Sequence, residues 1–172
     1  ILKTLVAMVS PVLSFTAEEV WKYMPKEEGM PESVMLQDWP QGHPEYFNQE
    51  LADKWNQLLD LRTSVQKALE LARQNKTIGH PLDASVTVYA EGAAFDALHA
   101  LGEEGLAKLV IVSEAHIVNG AAPAEAVKDE ETGVATVVAP SELEKCERCW
   151  IHRDTVGQDS AHPTLCARCA DV

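Results

Sequence analysis

The last 27 residues hold all four cysteines of the chain, as Cys146-Glu147-Arg148-Cys149 and Cys166-Ala167-Arg168-Cys169, with sixteen residues between the pairs. A tight Cys-x-x-Cys turn leaves backbone N–H groups facing its two sulfurs, and two such turns supply the four soft ligands that tetrahedral Zn²⁺ takes. The spacing lies in the range read as a zinc site. Two disulfides, or one redox dithiol, are the competing readings. Stapling disulfides are usually spread along a small domain, whereas 145 residues precede the first cysteine here,. A redox motif needs only one pair. His152 and His162 could each replace a sulfur, but four cysteines already complete the shell. One Zn²⁺ held by Cys146, Cys149, Cys166 and Cys169 is therefore expected,.

A chain of 172 residues with 46% apolar and 24% charged side chains suits a globular protein of one to three small domains,. The longest uncharged run, Thr4 to Ala17, is fourteen residues, contains Pro11 and is too short to span a membrane,. With Lys3 ahead of it that run faintly imitates a signal peptide, but a helix explains its residues better,. Net charge is −13 and unevenly spread: −4 over residues 1–47, +1 over 48–82, −8 over 83–140 and −2 over 141–172. An acidic protein is a poor nonspecific polyanion binder, so any nucleic-acid contact must be local. Four zinc-bound thiolates would add two further negative charges at the tail.

Leu2, Leu5, Val6 and Val9 recur at helical spacing from the first residue, Ile1, without a capping residue ahead of them,. That pattern suggests a fragment of a longer protein. Thr16 reads as the N-cap of a second helix, with Glu19 closing a capping box and Phe15 and Val20 a hydrophobic staple, ending at Met24-Pro25,. Pro25, Pro31, Pro40 and Pro44 mark a loop,. Glu50 to Lys76 predicts one long amphipathic helix with an apolar stripe of Leu51, Trp55, Leu58, Val65, Leu69 and Ala72, stopped at Ile78-Gly79-His80-Pro81 by Gly79,. Arg62, Gln66 and Arg73 fall on one side of that helix, which otherwise reads as a solvated face,. Strands are predicted over Ser85–Ala90, Leu109–Ser113, His116–Val118 and Val134–Ala139, with a short helix from Phe95 to Leu101 and a mobile acidic stretch from Glu125 to Glu131,. His99 and His116 are isolated and read as filler.

Three stretches carry a family resemblance. Leu5-Val6-Ala7-Met8-Val9-Ser10-Pro11-Val12-Leu13-Ser14-Phe15-Thr16-Ala17-Glu18-Glu19-Val20-Trp21 resembles the helical anticodon-binding domain of the class I aminoacyl-tRNA synthetases for isoleucine, valine and leucine. Leu61-Arg62 through Leu71-Ala72-Arg73, then Lys76-Thr77-Ile78-Gly79 and Leu82 to Tyr89, resembles the long helix and following strand of isoleucyl-tRNA synthetases. The Cys-x-x-Cys-Trp and Cys-x-x-Cys tail is similar to the zinc-binding C-terminus of the bacterial isoleucine enzymes, and it narrows the choice. Pro81 stands where that family more often has serine.

The resemblance implies an α+β chain: a helical anticodon-binding bundle over residues 1–80, a small α/β junction domain over 81–140 and a four-cysteine zinc finger over 141–172. It implies isoleucine tRNA and the remainder of a parent synthetase as partners, a cytoplasmic and monomeric protein, and no membrane or DNA partner. ATP would bind only in the parent's catalytic domain, because neither the His-x-Gly-His nor the Lys-Met-Ser-Lys-Ser signature is present. This chain alone is not expected to aminoacylate. Unpaired bases are read by stacking on aromatic or guanidinium planes. Trp150, Arg148 and Arg168 are thus the candidates at the tail, with Arg62, Arg73 and Lys76 as phosphate contacts on the long helix. Trp150 could equally cover the small zinc core. Two other readings compete: a zinc module of another kind, similar to the four-cysteine finger of DNA-repair glycosylases, and a purely structural clip that docks the tail on a parent body.

Overall fold

The computed structural model describes residues 1–172, which form two compact units, Ile1–Asn48 and Gln49–Val172. In the first unit, α1 (Leu2–Val9) and α2 (Ser14–Tyr23) pack through Val6, Ala7, Ala17 and Trp21, with Val34 beneath them. Trp21 is fully buried, and its indole N–H donates to the Pro31 carbonyl at 3.0 Å, which pins the proline-rich loop to the helix pair,. Ser33 caps a single 3-10 turn, Val34–Leu36, by accepting the Met35 N–H. The apolar face of α1 differs from the expected one: Leu2 and Leu5 are exposed, and Val6 and Ala7 face the core.

The expected capping box is not formed. The Leu13 N–H bonds the Val9 carbonyl and the Ala17 N–H bonds the Leu13 carbonyl, both at 2.8 Å, so the turn after α1 delivers the chain into α2 early. Thr16 therefore lies inside the first turn, Leu13 takes the N-cap position without a side-chain bond, and Phe15 is exposed, leaving no staple.

The second unit is built on α3 (Gln49–Gln74) and a four-stranded sheet of order β2-β1-β4-β3. β1 (Ala84–Ala90) lies in the interior, parallel to β2 (Glu114–Asn119) and antiparallel to β4 (Ala135–Pro140), which also pairs β3 (Val127–Lys128). Its alternation is the one expected, with Ala84, Val86, Val88 and Ala90 buried and Ser85, Thr87 and Tyr89 half-buried,. A parallel neighbour requires a crossover, supplied by α4 (Gly92–Leu101) and α5 (Glu103–Val110),. Leu61, Val65 and Leu69 of α3 join Val86, Val88, Leu98 and Leu106 in one core. Only the C-terminal part of the α3 stripe takes part: Leu51 and Trp55, two turns earlier, are exposed.

Three further expectations are corrected here. The helix stop is Lys76, not Gly79: Lys76 sits at φ 59°, and the Thr77 N–H reaches back to the Ala72 carbonyl at 2.9 Å, closing a Schellman turn,. Leu109-Val110 belongs to α5, with Ile111 left-handed at φ 63° ending it, because Leu106 and Val110 bury one helical face and Glu104 pairs with Lys108 one turn on,. The stretch Glu125–Glu131 is held rather than free. Val127 and Lys128 pair with β4, and Asp129 accepts the N–H groups of Glu131 and Thr132 while its other oxygen binds Lys67 of α3 at 2.7 Å.

Candidate metal centre and the surface around it

After β4 the chain makes a short hairpin. Cys146 N–H bonds the Ile151 carbonyl, Arg153 N–H bonds the Glu144 carbonyl, and Lys145 and His152 form a bridge. At its tip, the Trp150 N–H closes the first knuckle onto the Cys146 carbonyl at 2.8 Å. The second knuckle is the start of α6 (Ala167–Ala170), where the Cys169 and Ala170 N–H groups both bond the Cys166 carbonyl. Gly157 lets the connecting loop close: at φ 80°, a side chain there would meet the Pro163 carbonyl at 3.3 Å,.

The four sulfurs converge. All lie within 4.8 Å of one another, and none is disulfide-bonded. The Cys149 and Cys166 sulfurs are 3.9 Å apart; a tetrahedron with Zn–S bonds of about 2.3 Å has edges of about 3.8 Å. A disulfide needs about 2.05 Å. Cys146 and Cys166 are fully buried, with Val156 and Leu165 packed over them. Burial pushes the Cys146 thiol up, but the N–H groups of Cys149, Cys166 and Arg148 outweigh it and bring its pKa down to about 6. At Cys169 burial and the three neighbouring sulfurs act together and push it up to about 12. Four sulfurs this close cannot all ionise without mutual repulsion,. A single divalent ion removes that conflict, and the site fits one Zn²⁺,.

The residues named as tRNA contacts fall into two groups. Trp150 is 60% exposed and sits at φ 64°, directly after the Cys149 ligand. Arg148 beside it donates to the Cys169 carbonyl at 2.8 Å, tying one knuckle to the other. The cysteine sulfurs, that of Cys169 first and then those of Cys149 and Cys166, hold the Arg168 pKa above the usual guanidinium value. On α3, the Arg62 Nε donates to the Leu109 carbonyl at 2.9 Å, and Arg73 is forked onto Glu70 at 2.8 and 2.7 Å. Lys76 is exposed at the helix end. The structure therefore gives Arg62 and Arg148 packing duties that helical spacing alone does not reveal.

Asp83 was not singled out by the sequence, yet it joins the zinc module to the sheet. One carboxylate oxygen accepts from Lys145 Nζ at 2.7 Å and approaches His152 Nε2 at 3.4 Å; the other accepts the His80 N–H at 3.0 Å. Lys145 first, then His152, holds its pKa below the usual carboxylate value. His152 also contacts the Leu143 carbonyl through Nδ1 at 2.6 Å, and its backbone N–H donates to Ser113 Oγ at 2.8 Å. Both nitrogens of the His152 ring are therefore engaged away from the metal. Beyond this hub, Trp150, Glu147, Lys145 and His80 line an open groove of about 610 Å³. His80 also borders a second groove of about 410 Å³ with Gln66 and Arg73 of α3.

Comparison with known proteins agrees with this geometry. Residues 144–172 match the family model of the zinc finger found in FPG and IleRS. The chain is 47% identical over its full length to an isoleucine–tRNA ligase of Syntrophomonas wolfei, covering 18% of that protein. It is 42% identical to the isoleucine–tRNA ligase of Moorella thermoacetica and 45% to that of Desulforamulus reducens, over 99% of the chain in each case. It spans 18–19% of the length of these relatives. Residues 1–88, about half of the chain, match the family model of the anticodon-binding domain of tRNA ligases, and the chain belongs to that family.

Proposed function

We propose that this chain is the anticodon-end tRNA-binding part of an isoleucine–tRNA ligase. Division by role into residues 1–80, 81–140 and 141–172 belongs to the same proposal. In it, Cys146, Cys149, Cys166 and Cys169 ligate one Zn²⁺. The metal turns a tail too short for its own core into a rigid support, and Trp150 is the stacking platform that the support presents. ATP-dependent activation of isoleucine belongs to the rest of such an enzyme, in the cytoplasm.

The observation that carries the reading is the placement of Trp150: a large aromatic ring, mostly exposed, at a left-handed backbone position next to a metal ligand. A base stacked on a ring so held contributes about 1–3 kcal/mol. Arg168, whose charge interacts with the cysteine sulfurs, adds a guanidinium to that surface in this reading, with Arg148 bracing one knuckle against the other. Arg73 and Lys76 supply phosphate contacts, with the remaining N–H groups of Arg62 beside them.

Filter binding of isoleucine tRNA to the zinc-loaded chain tests this. Trp150→Ala is expected to weaken binding about tenfold or more with zinc content unchanged. Loss of zinc without loss of affinity per folded molecule would assign Trp150 to the metal core instead. Lys76→Ala and Arg73→Ala should each lower the salt slope by about one.

A structural clip is the second reading, and the hub of Asp83, Lys145, His152 and Ser113 favours it in part. It explains how the module is held to the sheet. It leaves the exposure of Trp150 without a purpose.

A further inference from the structure

A groove of about 440 Å³ runs where the start of β2, helix α5 and the zinc hairpin meet. Leu82, Ala107, Val112 and Ile151 give it an apolar lining, and Arg153 of the hairpin reaches it. Arg153 is half-buried, its Nε is shut off from water without a hydrogen-bond partner, and its guanidinium makes no hydrogen bond or ion pair. A guanidinium is a planar fork of donors that matches a carboxylate bidentately. The other charges of the groove are already engaged. Lys108 pairs with Glu104 at 2.7 Å, Glu103 accepts the Ile117 N–H at 3.1 Å, and Glu114 accepts from the Ser141 hydroxyl.

β2 is also an open edge of the sheet. In a parallel pair the N–H and C=O of one residue point the same way, and that direction alternates along the strand. The Gly120 N–H, bonded to the Ala90 carbonyl at 3.4 Å, puts the even-numbered residues on the β1 side. Ala115, Ile117 and Asn119 therefore turn their N–H and C=O outward, and the Ile117 N–H is the one that Glu103 takes. Ala115 lines the groove, and its outward N–H and C=O face no strand. Such an edge is a template for another extended chain. Nucleic acid fits it poorly, because a phosphate backbone would meet Glu103, Glu104 and Glu114 for one unpaired cation,. A polypeptide answers each feature: backbone for Ala115, an apolar side chain for the lining and a carboxylate for Arg153. We propose that this groove docks an extended protein segment, added to the β2 edge beside Ala115, whose Asp or Glu side chain pairs with Arg153. The proposal does not depend on the tRNA-binding reading.

The probe is a phage-displayed library of random ten-residue peptides, panned on the zinc-loaded chain. The most enriched sequences are then synthesised for fluorescence polarisation. Enriched peptides should alternate apolar residues around one Asp or Glu, and adding them should slow amide exchange at Ala115. Replacing that Asp or Glu by its amide, and Arg153→Met with zinc content unchanged, should each weaken binding about tenfold or more. Peptides indifferent to both changes overturn the pairing with Arg153. No enrichment, or binding that leaves exchange at Ala115 unaltered, overturns the docking site. Isoleucine tRNA that displaces the peptides and loses affinity in Arg153→Met would give Arg153 to RNA and overturn the proposal too. Because the amide-for-acid change is made in the peptide, the carboxylate is tested even if Arg153→Met fails to retain zinc.

Discussion

Trp150 holds a conformation that costs a bulky residue about 1–2 kcal/mol, and glycine almost nothing. At φ 64° it is one of three non-glycine residues on the left-handed side, with Lys76 and Ile111. Lys76 and Ile111 end helices, where that conformation is commonplace; Trp150 ends a metal knuckle. Trp150→Gly should therefore relax the knuckle and slow zinc loss to a chelator while weakening tRNA binding as strongly as Trp150→Ala. Faster zinc loss in Trp150→Gly would mean that the ring supports the metal core after all. Arg62 makes the opposite case. Its side chain satisfies the Leu109 carbonyl at the end of α5, so Arg62→Ala should cost about 1–2 kcal/mol in urea unfolding,. An unchanged unfolding midpoint would contradict that.

Element by element, the sequence revealed what is local and hid what is distant. Two Cys-x-x-Cys turns and the alternation of β1 are short-range patterns, and both stand in the structure. The Asp83 hub joins partners 62 and 69 residues away in sequence, and no periodicity announces such a bond. The run Leu109-Val110-Ile111-Val112 is apolar enough for strand or helix, and the Glu104–Lys108 pair and the left-handed Ile111 decide it,. The turn after β3 is the instructive miss, because acidic composition hid an ordered carboxylate. Lys67, then the N–H groups of Thr132 and Glu131, bring the Asp129 carboxyl down to about 2. The folded chain thus takes up that proton later than the unfolded chain does. The stabilisation is whole above the ordinary carboxylate range and is lost as pH falls from about 4 to about 2. Asp129→Asn should lower the urea midpoint at pH 7, and most of the difference from the unaltered chain should be gone at pH 2,. A difference as large at pH 2 as at pH 7 would place the effect elsewhere.

At the scale of the whole molecule, two apolar cores and one sulfur cluster are separate clusters of side chains. Each can fail alone. Chelating the metal should abolish hydrogen-exchange protection over residues 144–172 while β1, buried among Val86, Val88 and Leu98, keeps its own,. Simultaneous loss in both would show that the sheet depends on the metal. The net charge of −13 supplies no basic field for a polyanion, so it favours the structural clip, and any contact at the proposed RNA-facing surface must be local,. No helix is long and apolar enough to cross a membrane. Everything proposed for the RNA-facing surface presupposes the metal centre, and zinc-edge X-ray absorption of the zinc-loaded chain examines that centre directly. One zinc per chain with four sulfur neighbours at about 2.3 Å is the predicted result. A nitrogen or oxygen neighbour in the first shell, or cysteines paired as disulfides with no bound zinc, would contradict it.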